Sequence, residues 1–366
     1  MTSRGDTLST APVGPRECDG PDRRLLVGVL VAAALFVTGF TWSKWWPYVV
    51  KIDGLAATRE WDGGALLDVA RDAPNWWTGA WEFTLAYTDS VWKALVVGLL
   101  IAAAIDALLP RQWLLRVLTG RNATGGAAIA GAASMPSMMC TCCASPVAVS
   151  MSRSGVPISS VVAYWLGNPV LNPAVLVFLA LVGPWEWVAT RLVVGIVLVL
   201  GAAVLAARLV PGRRADPAVV AVSGAEGEDR EDATPSLGGF LRSLGRFSIT
   251  LVPEYLGLVF LVGAAAHLLS WDAGWVTGGG LGLVALAAVA LLMVIPTGGE
   301  IPVLIALASA DASPWVLGLV LIALPAVSLP SLLMVGRALT WRVTGATAAA
   351  VVGSGALAGA LLAVVA

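Results

Sequence analysis

Met135-Pro-Ser-Met-Met-Cys-Thr-Cys-Cys-Ala-Ser-Pro146 breaks the pattern of everything around it. Three of the four cysteines in the chain, two prolines and several small hydroxyl residues interrupt sequence that is otherwise apolar. Pro136 and Pro146 each lack a backbone N–H, so a helix cannot run undisturbed through the segment. In hydrocarbon such a break is tolerated only where it is buried in protein or lines a watery cavity. Other helices must therefore enclose it.

The surrounding composition supplies those helices. Of 366 residues, 58% are hydrophobic and only 12% are charged, and the mean hydropathy is +0.85. Those values lie outside the range of soluble domains. Apolar runs at 25–42, 91–109, 188–209, 257–270, 281–295, 316–335 and 346–366, with a broken run at 156–182, predict about eight membrane segments by length. The expected class is an all-α polytopic membrane protein.

Composition also excludes functions. A net charge of -1, with the cations spread over short loops, gives no basic field for nucleic acid. Lys44, Lys51 and Lys93 all lie outside a Gly-Lys-Ser/Thr context, so the chain has no ATPase motif of that kind. One histidine is too few for a His-rich zinc hydrolase, and no nucleophile elbow is present. A non-enzymatic protein without a cofactor is expected. Its partners are a small-molecule substrate and the lipid bilayer, and a homo-oligomer stays open.

Residues 1–24, with Cys18, read as a disordered cytoplasmic tail, and 25–42 as an N-terminal transmembrane anchor that is not a cleaved leader. An external Trp-rich segment, 43–84, holds Trp45, Trp46, Trp61, Trp76 and Trp77 as an interfacial belt. Two permease-like repeats, 85–208 and 238–366, flank a cytoplasmic linker at 209–237 that is rich in Pro, Gly and acidic residues.

Orientation follows from the positive-inside rule. Arg23 and Arg24 place the N-terminus in the cytoplasm, and hence the protein in the inner (plasma) membrane. If 123–150 dips in and returns, then Arg153, Arg208, Arg213, Arg214, Arg242, Arg246, Arg337 and Arg342 all fall inside as well. A full crossing would put most of them outside, so charge favours a re-entrant hairpin.

The second half repeats the first. Pro146 and Pro169 are separated by 23 positions, and so are Pro302 and Pro325. The motif Pro296-Thr-Gly-Gly-Glu-Ile-Pro302 stands where the cysteine motif stood. With a hairpin between them, the repeats run in opposite senses through the membrane. Paired broken segments of this kind point to a midplane binding site in transporters. The hinges are Pro136, Pro146, Pro169, Pro296, Gly298, Gly299, Pro302 and Pro325. Pro146 and Pro302 are expected as first residues of helices whose free amides face the break.

Chemistry then falls to few residues. Cys140 and Cys143 share a face if the segment is helical, and Cys140 and Cys142 if it is extended. Either way two sulfurs converge on a soft metal or metalloid, although buried free cysteine also serves as plain core. Thr141, Asn168 and Asn172 add polar atoms for substrate, with the asparagines placed on one helical face. Repair of carbonyls freed by the prolines is their alternative role. Glu300 in the second break and Glu254 after Pro253 are candidates for proton coupling.

These motifs resemble the ArsP/YraQ-type predicted permeases over about residues 85–366. The family's Cys-Ser-Cys motif matches Cys140, Thr141 and Cys142, its downstream proline Pro146, and its second-half element Glu300, Ile301 and Pro302. The resemblance implies a membrane permease, and its ArsP branch implies efflux of trivalent organoarsenicals. Cys143 is an added thiol. Thr297, Gly298 and Gly299 stand where a cysteine is often expected, which removes a sulfur ligand from the second repeat. Two other classes share part of the pattern: a membrane thiol redox protein passing electrons through a cysteine pair, and a gated channel.

Overall fold

The computed structural model describes residues 23–61, 64–109, 111–120, 122–210, 236–268 and 280–365. Cys18, Arg121 and nearly all of the 209–237 linker lie outside them. The described residues are almost wholly helical, with no strand among them. Helix α1 (Leu26–Thr58) contains a π-helical turn at Thr41–Trp45. It is followed by α2 (Leu66–Arg71), α3 (Trp76–Ala107), α4 (Arg111–Leu118), α5 (Ala123–Ser134), α6 (Thr141–Arg153), α7 (Ile158–Val170), α8 (Pro173–Val182) and α9 (Trp185–Leu209). The second half contains α10 (Leu237–Leu268), α11 (Gly280–Leu292), α12 (Glu300–Ser309), α13 (Pro314–Ala326), α14 (Leu329–Ala338) and α15 (Trp341–Val365).

Among the described residues, six helices are long and apolar enough to cross a membrane, or seven if the bent pair α13–α14 counts as one span. About eight segments were expected. The difference lies in the 281–295 run, which forms the 13-residue α11. At 1.5 Å per residue it reaches only about two-thirds of a hydrocarbon core. By length it falls short of a span. The anchor also differs: α1 does not stop at Trp42 but continues for 33 residues to Thr58. Trp45 and Trp61 consequently pack on the protein interior, where a free interfacial belt was expected.

Polarity is distributed as a bilayer requires. Large apolar side chains such as Leu30, Leu85, Val193, Ile249 and Leu261 are exposed, whereas Ser134, Ser137, Ser150, Ser160, Asn168, Asn172, Arg191 and Glu300 are buried. Lipid removes the penalty for the first group and raises it for the second, so polar side chains gather where protein surrounds them. This is a multi-pass membrane protein.

The internal duplication is visible in element boundaries. Helices 158–170, 173–182 and 185–209 recur as 314–326, 329–338 and 341–365, each shifted by 156 positions at both ends (158 to 314, 173 to 329, 185 to 341). Both α3 and α10 have 32 residues. Pro169 and Pro325 occupy equivalent places, each one residue before the end of its helix, where it withholds the amide owed to the carbonyl four residues earlier and weakens the last turn. Counterparts also touch, α3 packing on α10, α9 on α15 and α7 on α13.

Close packing on small residues holds the second half. A Cβ added at Gly318 of α13 would lie 2.1 Å from the backbone nitrogen of Gly359 on α15, so the two helix backbones meet there directly. Gly318→Leu should therefore force the helices apart at a cost of about 1–3 kcal/mol. A clear fall in the thermal unfolding temperature of the purified protein in detergent is expected; an unchanged temperature would contradict the contact.

Candidate functional site

The site forms where the two breaks meet. A narrow cleft is lined by Cys140, Pro169, Val175, Ile295, Pro296, Thr297, Gly298, Glu300 and Pro325. It draws on both proline-broken motifs, 135–146 and 296–302, and on α7, α8 and α13. Its free space is about 10 Å³, roughly one water molecule, so a larger solute needs the surrounding helices to move.

On the first side, a 3-10 turn at Met135–Ser137 ends α5, and Met138 takes a left-handed conformation at φ 49°. The chain then enters α6 with Cys140 as its N-cap. This arrangement resolves the helical-or-extended choice, because the break falls between the cysteines. Cys140 Sγ lies 3.2 Å from Cys142 Sγ and 3.0 Å from Cys143 Sγ, and all three sulfurs fall within 4.8 Å of one another. All three thiols are free and buried. Two tyrosines flank them: the hydroxyl of Tyr87 on α3 is 3.1 Å from Cys142 Sγ, and that of Tyr255 on α10 is 3.7 Å away.

The second side centres on Glu300, the first residue of α12. Gly298 adopts φ 82° in the turn before it, a conformation that favours glycine. The Gly299 amide donates to the Pro296 carbonyl at 2.9 Å. Glu300 Oε1 accepts from Arg191 Nη1 at 2.6 Å, and both side chains are fully buried, at 1% and 0% exposure. Arg191 also donates through Nε to Val170 O at 3.1 Å and through Nη2 to Pro169 O at 2.8 Å. These are carbonyls at the C-terminal end of α7, where a cation is favoured. Glu300 Oε2 has no hydrogen-bond partner.

Other expected residues divide. Asn168 accepts from Ser137 of the first hairpin and donates to Tyr164 O at 2.9 Å, so it joins hairpin to broken helix. Asn172 caps α8, accepting from the Ala174 amide at 3.1 Å, and its Nδ2 is buried without a partner. The two asparagines do not share a helical face, because Leu171 separates α7 from α8. Thr141 Oγ1 is likewise buried and unpartnered. Glu254 turns away from the cleft to accept from Arg337 at 2.8 Å.

Pro146 and Pro302 are not first residues of their helices, which begin earlier, at Thr141 and Glu300. Pro302 still falls in a first turn, where its missing amide costs little. Pro146 is interior and deprives the Cys142 carbonyl of its helical donor. Pro136 contributes its carbonyl, which accepts from Trp45 Nε1 at 2.7 Å.

Sequence reasoning missed four site residues. Arg191 reads as one cation in an apolar run, and its position inside the span 185–209 was the available signal. Tyr87 and Tyr255 belong to long helices with no local motif. Lys44 carried the same signal as Arg191. It is 5% exposed, lies in the π-helical turn of α1, and donates to Tyr48 Oη at 2.9 Å and Thr297 Oγ1 at 3.3 Å.

Spanning helices around a narrow cleft that is lined by both halves of the chain and holds a thiol and a buried carboxylate define the class: a membrane permease. The chain belongs to the ArsP_1 family of predicted permeases, whose model matches residues 76–364. It is 38% identical over 332 residues to the UPF0718 protein YraQ of Escherichia coli (strain K12), covering 89% of this chain and 92% of that protein. No solved structure matches.

The Arg191–Glu300 pair yields a prediction. Removing one partner leaves the other charge buried and uncompensated, at about 3–5 kcal/mol. Arg191→Met should lower thermal stability strongly, and Arg191→Met with Glu300→Gln should recover a good part of the loss. A double variant that loses the sum of the two single losses would show that the pair is not coupled.

Proposed function

We propose that this permease is a secondary-active exporter of a small thiophilic solute, such as a trivalent organoarsenical, bound between the two hairpins. The observation that supports this reading is the cluster of three buried free thiols at the wall of the cleft. Soft sulfur suits a metalloid or a soft metal ion far better than a hard cation. A methylated trivalent arsenical carrying two hydroxyls has two exchangeable positions. Each thiol that attacks arsenic forms a sulfur–arsenic bond while its proton leaves with a hydroxyl as water. Two of the three cysteines hold the solute, and the third is positioned to displace one of them. Such exchange lets a covalently held solute leave again.

Topologically, the halves are inverted-topology repeats, the N-terminus is cytoplasmic and the membrane is the inner (plasma) membrane. The positive-inside pattern and the matched helix boundaries support this arrangement. Alternating access then rocks one half against the other. Glu300 is the coupling group: its unpartnered Oε2 takes a proton in one state and releases it in the other, while Arg191 holds the opposite oxygen. Asn172 Nδ2 and Thr141 Oγ1 supply further polar contacts to solute. Glu254 has a lesser place, as a gate with Arg337. Electron transfer through the thiols is less well supported, because no further cysteine among the described residues reaches the cluster.

Export from cells tests the assignment. Cys140→Ser, Cys142→Ser and Cys143→Ser combined, in a protein shown to be in the membrane, should reduce arsenical clearance at least about tenfold, the loss expected when a bond-forming ligand is removed. Clearance at the wild-type rate sinks the thiophilic reading. In proteoliposomes, Glu300→Gln should abolish the pH dependence of transport; an unchanged pH profile removes the coupling role.

A further inference from the structure

We propose that the cargo of this site is negatively charged, with Lys44 of α1 as the residue that recognises the charge. The inference rests on the reading that the cleft binds solute and adds the charge of that solute. A lysine inside a membrane span is costly and is retained for a purpose or a partner. Among the described residues, no ion pair includes Lys44, and its two hydrogen-bond partners, Tyr48 Oη and Thr297 Oγ1, are neutral groups. Its aromatic contact is to the ring of that same Tyr48, at 5.1 Å from the centroid. The ammonium has three protons, and these two acceptors use two of them.

Its location connects it to the cleft. Thr297, which accepts from Lys44 Nζ at 3.3 Å, lines the same wall as Cys140 and Glu300. The π-helical turn Thr41–Trp45 sets Lys44 on the protein side of a helix whose other side faces lipid. Such insertions concentrate at functional positions. Trp45, the next residue, is fastened to the Pro136 carbonyl, so the turn is held against the first break.

Charge accounting then gives the sign. Arg191 and Glu300 neutralise each other. Lys44 has no acidic partner among the described residues, so it stands at the cleft as a cation beside neutral hydrogen-bond acceptors. The N-terminus of α6, where Cys140 makes no side-chain cap bond and Thr141 Oγ1 is unpartnered, adds partial positive charge on the same side. A monoanion bearing one soft atom satisfies both features, its soft atom on sulfur and its negative group on Lys44. The solute class is a small soft monoanion, for example an arsenical with a carboxylate.

The test uses the full chain in proteoliposomes and measures thiol modification by an anionic methanethiosulfonate (sulfonatoethyl) against a cationic one (trimethylammonioethyl). Both rates are normalised to a free thiol in solution. Wild type should favour the anionic reagent, and Lys44→Met should lower the anionic-to-cationic ratio by about tenfold, as removal of a nearby buried charge requires. A ratio unchanged by Lys44→Met overturns the proposal, including the case in which both rates fall together because the lysine only activates a thiol. Failure of both reagents to react overturns it too, since a solute route must admit molecules of that size.

Protection by phenylarsine oxide and by its 4-carboxylate supplies the second readout. In wild type the carboxylate should protect at about tenfold lower concentration, and in Lys44→Met at an equal one. Equal protection in wild type contradicts an anionic cargo. If neither arsenical protects while the reagent ratio still falls in Lys44→Met, the positive site stands and the thiophilic reading of the cargo fails.

Discussion

A buried ion pair ties the molecule together at its centre. Arg191 comes from the last helix of the first half, Glu300 from the hairpin of the second, and the same guanidinium holds the terminal carbonyls of a broken helix. One side chain thus answers two demands of the membrane interior. It pairs with a buried carboxylate, and it satisfies carbonyls at a helix end, where Pro173 has no amide to give the Pro169 carbonyl and the Ala174 amide is taken by Asn172. The pair also makes the duplication asymmetric. At the 156-residue shift of the neighbouring helices, Arg191 corresponds to Thr347, whose hydroxyl bonds only its own helix, to Val343 O at 2.8 Å.

That asymmetry gives each hairpin a separate task. The first brings sulfur: a helix that starts between Cys140 and Thr141 turns three thiols toward one point and leaves Pro146 to weaken the next turn. The second brings charge, through a glycine turn that lets Glu300 begin its helix at the cleft. Tyr87 and Tyr255 approach the sulfurs from α3 and α10, the longest paired helices of the two halves. Three thiols, two tyrosines, a carboxylate and a guanidinium therefore converge from five separate parts of the chain. The cleft is narrow, with free space of about 10 Å³.

Much of this was legible in the sequence for identifiable reasons. Apolar run lengths gave the all-helical membrane class, and proline spacing gave the duplication, because prolines at a constant shift mark equivalent places in two similar stretches. The cysteine cluster and Glu300 stood out as expensive residues in hydrocarbon. Three things were hidden. Helix starts at Thr141 and Glu300 depend on turns set by Met138 and Gly298, which proline position alone does not specify. Asn168 and Asn172 were separated by a break at Leu171 that their spacing did not reveal. Arg191, Lys44 and the tyrosines reach the site only through tertiary packing, since their nearest partners lie far away in sequence.

The central claim is that the sulfurs bind cargo and do not merely fill space. X-ray absorption at the arsenic edge, on purified protein loaded with a monomethyl trivalent arsenical, addresses it directly. The account predicts that arsenic exchanges its oxygen neighbours for two sulfurs while keeping its carbon. Arsenic surrounded by oxygen and carbon alone, in protein whose thiols are confirmed reduced, would contradict it.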